Sequence, residues 1–312
     1  MSAAVATLGE VLVAVTGPGP FESGGPLTMR VAGAESNVAI GLARLGHPAR
    51  FAGRVGADEL GTLVLRTLRA EGVSTDAVVR DSSAPTGLMV KERRIGRVTR
   101  VHYYRAGSAG SRLDEGDLEC TRLLDGAAIV HVTGITVALG AGPGRAVAAL
   151  VAAAPAAGAA VSFDVNHRSR LWPDPAAARR ALEPLARSAQ LVFGSPDELA
   201  LVAGPNPVQR LLDAGVETVV VKLGGDGAEA WTSVGAVQSP AVPVEVVDTV
   251  GAGDALCAGY LSGTLDGLEP AECLGRAVRT AAFAVAAEGD WEGLPRRDEL
   301  DLLDLPPGST VR

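Results

Sequence analysis

The chain is poor in cysteine, in positive charge and in long hydrophobic runs, and each shortage closes off a class of function. Cys120, Cys257 and Cys273 are the three cysteines among 312 residues, with neither metal-ligand spacing nor an even disulfide framework, so a reducing, cytoplasmic setting is expected. His47, His102, His131 and His167 form no H-E-x-x-H pair, which leaves a zinc hydrolase unsupported and makes structural roles the expectation for all four. Acidic residues outnumber basic ones to a net charge of -8, and nucleic-acid binding, which depends on neutralising phosphates with Lys and Arg, is not expected. The longest apolar stretch, around Ala146 to Val161, is interrupted by Pro155 and Gly158 and is too short for a bilayer, and no signal pattern precedes Val5, so no membrane role is expected. Also missing are a G-x-x-x-x-G-K-[ST] loop, a G-x-G-x-x-G after a strand, and the H-R-D and D-F-G pair of protein kinases, which His167-Arg168-Ser169 matches only superficially.

What is present is a composition 47% hydrophobic and rich in Ala, Gly and Val, enough to bury the core of one α/β domain over residues 1–312. Short β-rich runs (5–15, 49–55, 129–133, 160–164, 190–194, 218–223) alternate with helical patterns (37–45, 59–71, 143–154, 175–188, 207–214). That alternation predicts a doubly wound, mostly parallel sheet flanked by helices, with ligands at the carboxyl ends of its strands. Two stretches break the rhythm: 11–31 is Gly/Pro-rich without a helix, and 86–104 reads as two strands around Ile95-Gly96-Arg97. Together, over about 11–31 and 86–105, they predict a small β-sheet lid that covers a site and excludes water, although a plain hairpin or a dimer contact would have the same pattern.

Chemistry concentrates near the carboxyl end, where Asp248-Thr249-Val250-Gly251-Ala252-Gly253-Asp254 leads into a helical pattern. Backbone N–H groups of residues this small can approach an anion closely, and the helix they open adds a positive dipole end. A carboxylate in such a pocket would repel a bare phosphate, so Asp254 suits the removal of a proton from an attacking hydroxyl. The alternative is a helix start in which Asp254 is a cap or first-turn acid. A second cluster, Ala32-Gly33-Ala34-Glu35-Ser36-Asn37, pairs a close-approach glycine with an amide able to donate to and accept from sugar hydroxyls, or to cap the following helix. Two arginines from separate elements, Arg105 after Tyr103-Tyr104 and Arg168 in Asp164-Val165-Asn166-His167-Arg168, offer forked donors for a carboxylate; Tyr and Arg pairing across exposed strands is the plainer reading.

The two clusters closely resemble the signatures of the ribokinase-like (PfkB) sugar kinases. That resemblance implies ATP as phosphoryl donor, Mg²⁺ bridging its phosphates without a dedicated protein metal ligand, Asp254 as base, and Gly251, Ala252 and Gly253 as the anion hole. Tyr103 to Ser111, Thr133 to Thr136, Asp164 to Arg168 and Gly289 to Gly293 are similar to the 2-keto-3-deoxygluconate kinases within the family. Carried over residue by residue, Gly33, Asn37, Tyr103, Arg105, Arg168 and Asp290 would hold the keto acid, with Met89 where such kinases tend to carry a tyrosine. Asn166 and Ser195 would face the nucleotide phosphates, and Lys222, Gly225 and Gly227 belong to a run resembling the family's ATP loop, which also reads as a hairpin turn. Val278 stands where the family often has an asparagine near the adenine. A kinase of the same fold for a neutral sugar such as fructose or ribose, one that takes the galactonate epimer of the keto acid equally well, and a sugar sensor without catalysis are the alternatives; a homo-oligomer formed through the lid is a further expectation.

Overall fold

The computed structural model describes residues 4–93, 99–118, 122–306 and 309–310. With strands numbered along the chain, one nine-stranded sheet runs in space through β5 (Val73–Asp81), β4 (Ala49–Gly56), β1 (Ala4–Leu8), β8 (Ala127–Thr133), β9 (Ala160–Asp164), β10 (Leu191–Gly194), β11 (Thr218–Lys222), β12 (Ala228–Thr232) and β13 (Gly235–Ser239). Neighbours from β5 to β11 are parallel, and β12 and β13 close the edge antiparallel. The helices are α1 (Ala34–Arg44), α2 (Glu59–Ala70), α3 (Gly134–Val137), α4 (Ala141–Ala153), α5 (Pro175–Ser188), α6 (Pro196–Ala203), α7 (Pro207–Asp213), α8 (Ala252–Leu265) and α9 (Pro270–Val285).

Strands buried on both faces need apolar residues at successive positions, because consecutive side chains point opposite ways. On β11, Val220 packs into the core that includes α1, α2, α8 and α9, whereas Val219 and Val221 enter the core built with α4 to α7; on β10, Phe193 and Val192 divide the same way. Helix starts follow side-chain capping: Asp58 accepts from the Gly61 N–H at 2.7 Å ahead of α2, and Asp174 accepts from the Ala177 N–H at 2.7 Å ahead of α5. Strand order reverses at β1, which has β4 on one side and β8 on the other, and that reversal opens a crevice at the strands' carboxyl ends.

The lid is a second sheet, in order β3 (Thr28–Ala32), β2 (Leu12–Gly17), β6 (Leu88–Arg93), β7 (Thr99–Tyr104). Its two halves come from the two expected stretches; the turn expected around 95–97 lies outside the described residues, as does Cys120. One expectation is corrected. The run 5–15 is two strands, β1 for the core and β2 for the lid, because Gly9 extends the β1 pairing by bonding Ala52 (3.1 Å) and Glu10 then turns the chain away. Both strands are buried and mostly apolar, so Gly9-Glu10 between them is the one local mark of the change of sheet.

Candidate active site

A polar cavity of about 500 Å³ opens where the strand ends meet the underside of the lid. The core contributes Glu10 after β1, Asp164, Asn166 and Arg168 at and beyond the end of β9, and Lys222 at the end of β11; the lid contributes Met89, Lys91 and Tyr103. Of the residues expected to form the site, Gly33, Asn37, Met89, Tyr103, Arg105, Arg168, Asp290, Asn166, Ser195, Lys222, Gly251, Gly253 and Asp254 all line it. Ala252, Gly225 and Gly227 line an adjoining apolar cavity of about 540 Å³, which shares Lys222, Thr249 and Gly253 with the polar one.

Asp254 stands in the first turn of α8, partly buried, and accepts from Asn37 Nδ2 at 2.7 Å. Among the described residues its carboxylate caps no backbone group, so the cap reading falls away, and its place as a first-turn acid facing the cavity is compatible with the proton-accepting one. Burial pushes its pKa up to about 7; the Asn37 bond pulls down, the Asp164 charge pushes up, and Lys222 pulls down. Asn37 lies inside α1 rather than at its cap, and its Oδ1 is buried with no partner, an acceptor facing no protein donor. Two glycines make this convergence possible. At Gly33 a Cβ would strike the Glu10 carbonyl oxygen, and at Gly251, with φ 79°, it would land on the carbonyl of Asp290, so both backbones must be bare. The Ala252 N–H turns back to Thr249 O at 3.4 Å, so within the expected anion hole Gly251 and Gly253 are the residues that border the polar cavity.

The cavity's cations are mostly matched. Lys222 Nζ donates to both Asp164 oxygens at 2.7 and 2.9 Å; burial opposes its charge most strongly, yet Asp164, Cys257 and Glu198 together outweigh burial and hold its pKa above the ordinary lysine value. Lys91, from β6, forms a buried ion pair with Asp290. Arg105 pairs with Glu10 at 3.0 Å and lies over the Tyr103 ring at 4.1 Å, tying lid to core rather than pairing across exposed strands; its Nε is buried and unpartnered. Arg168 is exposed, and among the described residues it makes no ion pair with a carboxylate. Met89 is 5% exposed and packs with Leu12, Ala14 and Ala32 inside the lid, bringing only an edge to the cavity.

The nucleotide-facing expectations have mixed geometry. Ser195 is the N-cap of α6, accepting from Glu198 N–H at 3.3 Å while Glu198 accepts from the Ser195 N–H at 2.8 Å, so its hydroxyl already has a structural task. Asn166 holds φ 37°, a left-handed conformation uncommon for a side-chain-bearing residue, at the end of β9. Gly224–Asp226 is the turn between antiparallel β11 and β12, as the hairpin reading has it, and Gly225 has open space where a side chain would stand. An open glycine turn beside the first turn of α8 fits a polyphosphate. Among the described residues, no group of three or more His, Cys, Asp and Glu side chains converges as a metal site.

Sequence reasoning passed over Glu10, Glu35, Lys91, Asp164 and Glu198. Glu35 is fully buried and accepts from Thr133 Oγ1 (2.7 Å) and Thr136 Oγ1 (2.6 Å), while its other oxygen has no partner. Burial raises its pKa to about 7, against those two hydroxyls and with a further push from Asp254. A signal for the lysines was available: Lys91 and Lys222 are the chain's only two, and both point into this cavity.

A crevice at a topological switch point, a carboxylate in the first turn of a glycine-opened helix, and a β lid agree with the ribokinase type of sugar kinase whose signatures the sequence resembles. A sequence model of the pfkB family of carbohydrate kinases matches residues 5–297, and the chain belongs to that family. It is 37% identical over 307 residues to the 2-dehydro-3-deoxygluconokinase of Thermoproteus tenax, covering 95% of this chain and 92% of that protein. The Bacillus subtilis (strain 168) 2-dehydro-3-deoxygluconokinase is 39% identical over 282 residues, covering 86% and 85%. Among solved structures, a putative ribokinase II from E. coli in complex with ATP and Mg²⁺ superposes with a TM-score of 0.90 at 25% identity, covering 97% of this chain and 99% of that one.

Proposed function

We propose that this enzyme transfers the γ-phosphoryl group of ATP to the 6-hydroxyl of 2-keto-3-deoxygluconate. The observation that carries the reading is Asp254, held by Asn37 in a charged cavity suited to a small polyol acid, next in sequence to Gly253, where that cavity adjoins an apolar one suited to a base. The sugar's terminal hydroxyl gives its proton to Asp254 as its oxygen bonds to phosphorus and the bond to the leaving nucleoside diphosphate breaks. The N–H groups of Gly251 and Gly253, at the positive end of α8, offset the charge on the transferring group. Mg²⁺ fits as an ion held chiefly by the phosphates, since the chain's own carboxylates here are committed: Asp164 to Lys222, Asp290 to Lys91, Glu10 to Arg105.

Arg168, which lines the cavity and has no acidic partner among the described residues, is assigned the substrate carboxylate, and Asn37 Oδ1 a substrate hydroxyl. Asn166, Ser195, Lys222, Gly225 and Gly227 are assigned to the nucleotide side, and Gly33, Met89, Tyr103, Arg105 and Asp290 to the sugar side. The pairing of Arg105 with Glu10 favours a second reading, a kinase for a neutral sugar, because it removes one of the two free arginines an acid would use. The whole chain is proposed to work as one cytoplasmic kinase unit, with the lid's exposed Leu27, Met29 and Tyr104 as the contact between two copies. ³¹P NMR of the product, with Arg168→Ala alongside, tests the acceptor. Phosphate on the terminal oxygen of the keto acid, with KM raised roughly 10-fold to 100-fold in the variant, is expected for the loss of a charged hydrogen bond. Turnover of fructose or ribose that Arg168→Ala leaves unchanged would discard the acid.

A further inference from the structure

The apolar cavity is chemically unlike the rest of the site. Among the side chains lining its roughly 540 Å³, only Lys222 and Thr249 can donate or accept a hydrogen bond, and both also line the polar cavity. Lys222 is moreover held on Asp164. Beyond those two, the lining side chains are aliphatic or absent, including Val242 and Val244 ahead of α8 and Val278, Ala282 and Val285 on α9. Such walls hold a flat heterocycle by desolvation and dispersion, and no side chain there registers whether its edge carries an amino or an oxo group. Apolar pockets separate related ligands only by roughly 10-fold to 200-fold, whereas a site that hydrogen-bonds a distinguishing group rejects its analogue by about 10⁴ or more.

We infer that the phosphoryl-donor site accepts purine nucleoside triphosphates as a class, ATP, GTP and ITP being held within about 100-fold of one another. This rests on the assignment of this cavity to the donor. The chemistry is the same for each: the bond from the γ-phosphorus to the diphosphate breaks, the bond to the sugar oxygen forms, the proton passes to Asp254, and the base takes no part.

Calorimetric titration of the full chain with Mg²⁺ and ADP, GDP or IDP, without any sugar, reads base preference independently of the acceptor. GDP and IDP are expected to bind within about 100-fold of ADP. Weaker binding of both than that would mean backbone groups along 241–246 read the base edge, and would overturn the inference. No binding of any of the three would overturn it together with the donor-site assignment. Val278→Phe, which fills the slot, should weaken all three by a common factor; a loss confined to one base contradicts a shared apolar seat. Nucleotides that bind alike while the keto acid is not turned over would count against the proposed acceptor and leave the donor breadth established.

Discussion

Asp254 owes its expected reactivity to its neighbours. A carboxyl raised to about 7 is half ionised near neutrality, so kcat/KM should climb with pH to a plateau above about pH 7, as the base of the free enzyme loses its proton. Asn37 donates to the charged form and holds that value down, so Asn37→Leu should move the acid limb to higher pH and raise KM for the sugar; a limb that stays put would remove the contact from the account. Glu35 makes a stability prediction with a definite sign. Its folded pKa of about 7 exceeds the ordinary 4.5, so the folded state keeps a proton the unfolded chain releases, and stability falls as pH rises between those values. Glu35→Gln, neutral throughout, should therefore gain Tm relative to the parent at pH 8 compared with pH 5; an equal difference at both pH values would mean the carboxyl is not held protonated.

At the scale of elements, two ion pairs add to the apolar packing of Val13 and Val31 that joins the lid to the core: Lys91 on β6 to Asp290 after α9, and Arg105 after β7 to Glu10 after β1. Asp290 also presses its carbonyl on Gly251, so the first pair joins the lid to the backbone that opens α8. Removing one partner of a buried pair strands the other charge, and Lys91→Met is expected to cost about 3–5 kcal/mol in urea unfolding, most of it recovered in Lys91→Met/Asp290→Leu. A double variant no better than the single one would show that the pair is not where the cost lies. These ties also mark where sequence reading stopped. The parallel core, the lid stretches and the first turn of α8 were legible because hydrophobic period and small-residue clusters are local properties. Lys91, Glu10 and Asp164 were not, because what makes them site residues is a partner 199, 95 or 58 positions away, and nothing at the residue itself records it. Residues 73–81 and 228–239 were missed as strands because, at the sheet's edges, they are half solvated and carry Ser, Asp, Glu, Gln and Thr among their apolar residues.

For the whole molecule, two cavities of opposite character meet at Lys222, Thr249 and Gly253, beside the carboxylate of Asp254 in the polar one, and the lid that roofs the polar one leaves Leu27, Met29 and Tyr104 in water at 54%, 57% and 65% exposure. Sedimentation is expected to show a dimer that Met29→Glu dissociates; a monomer at every concentration would leave those side chains without the proposed role. The reaction as a whole turns on Asp254. The measurement that tests it most directly is ADP release from Mg·ATP with 2-keto-3-deoxygluconate, its galactonate epimer, fructose and ribose, comparing the parent with Asp254→Asn. Selective turnover of the keto acids, reduced about 10²-fold to 10⁴-fold in a variant that still binds ADP, is the predicted result. An Asp254→Asn protein that turns over within a few-fold of the parent would contradict it.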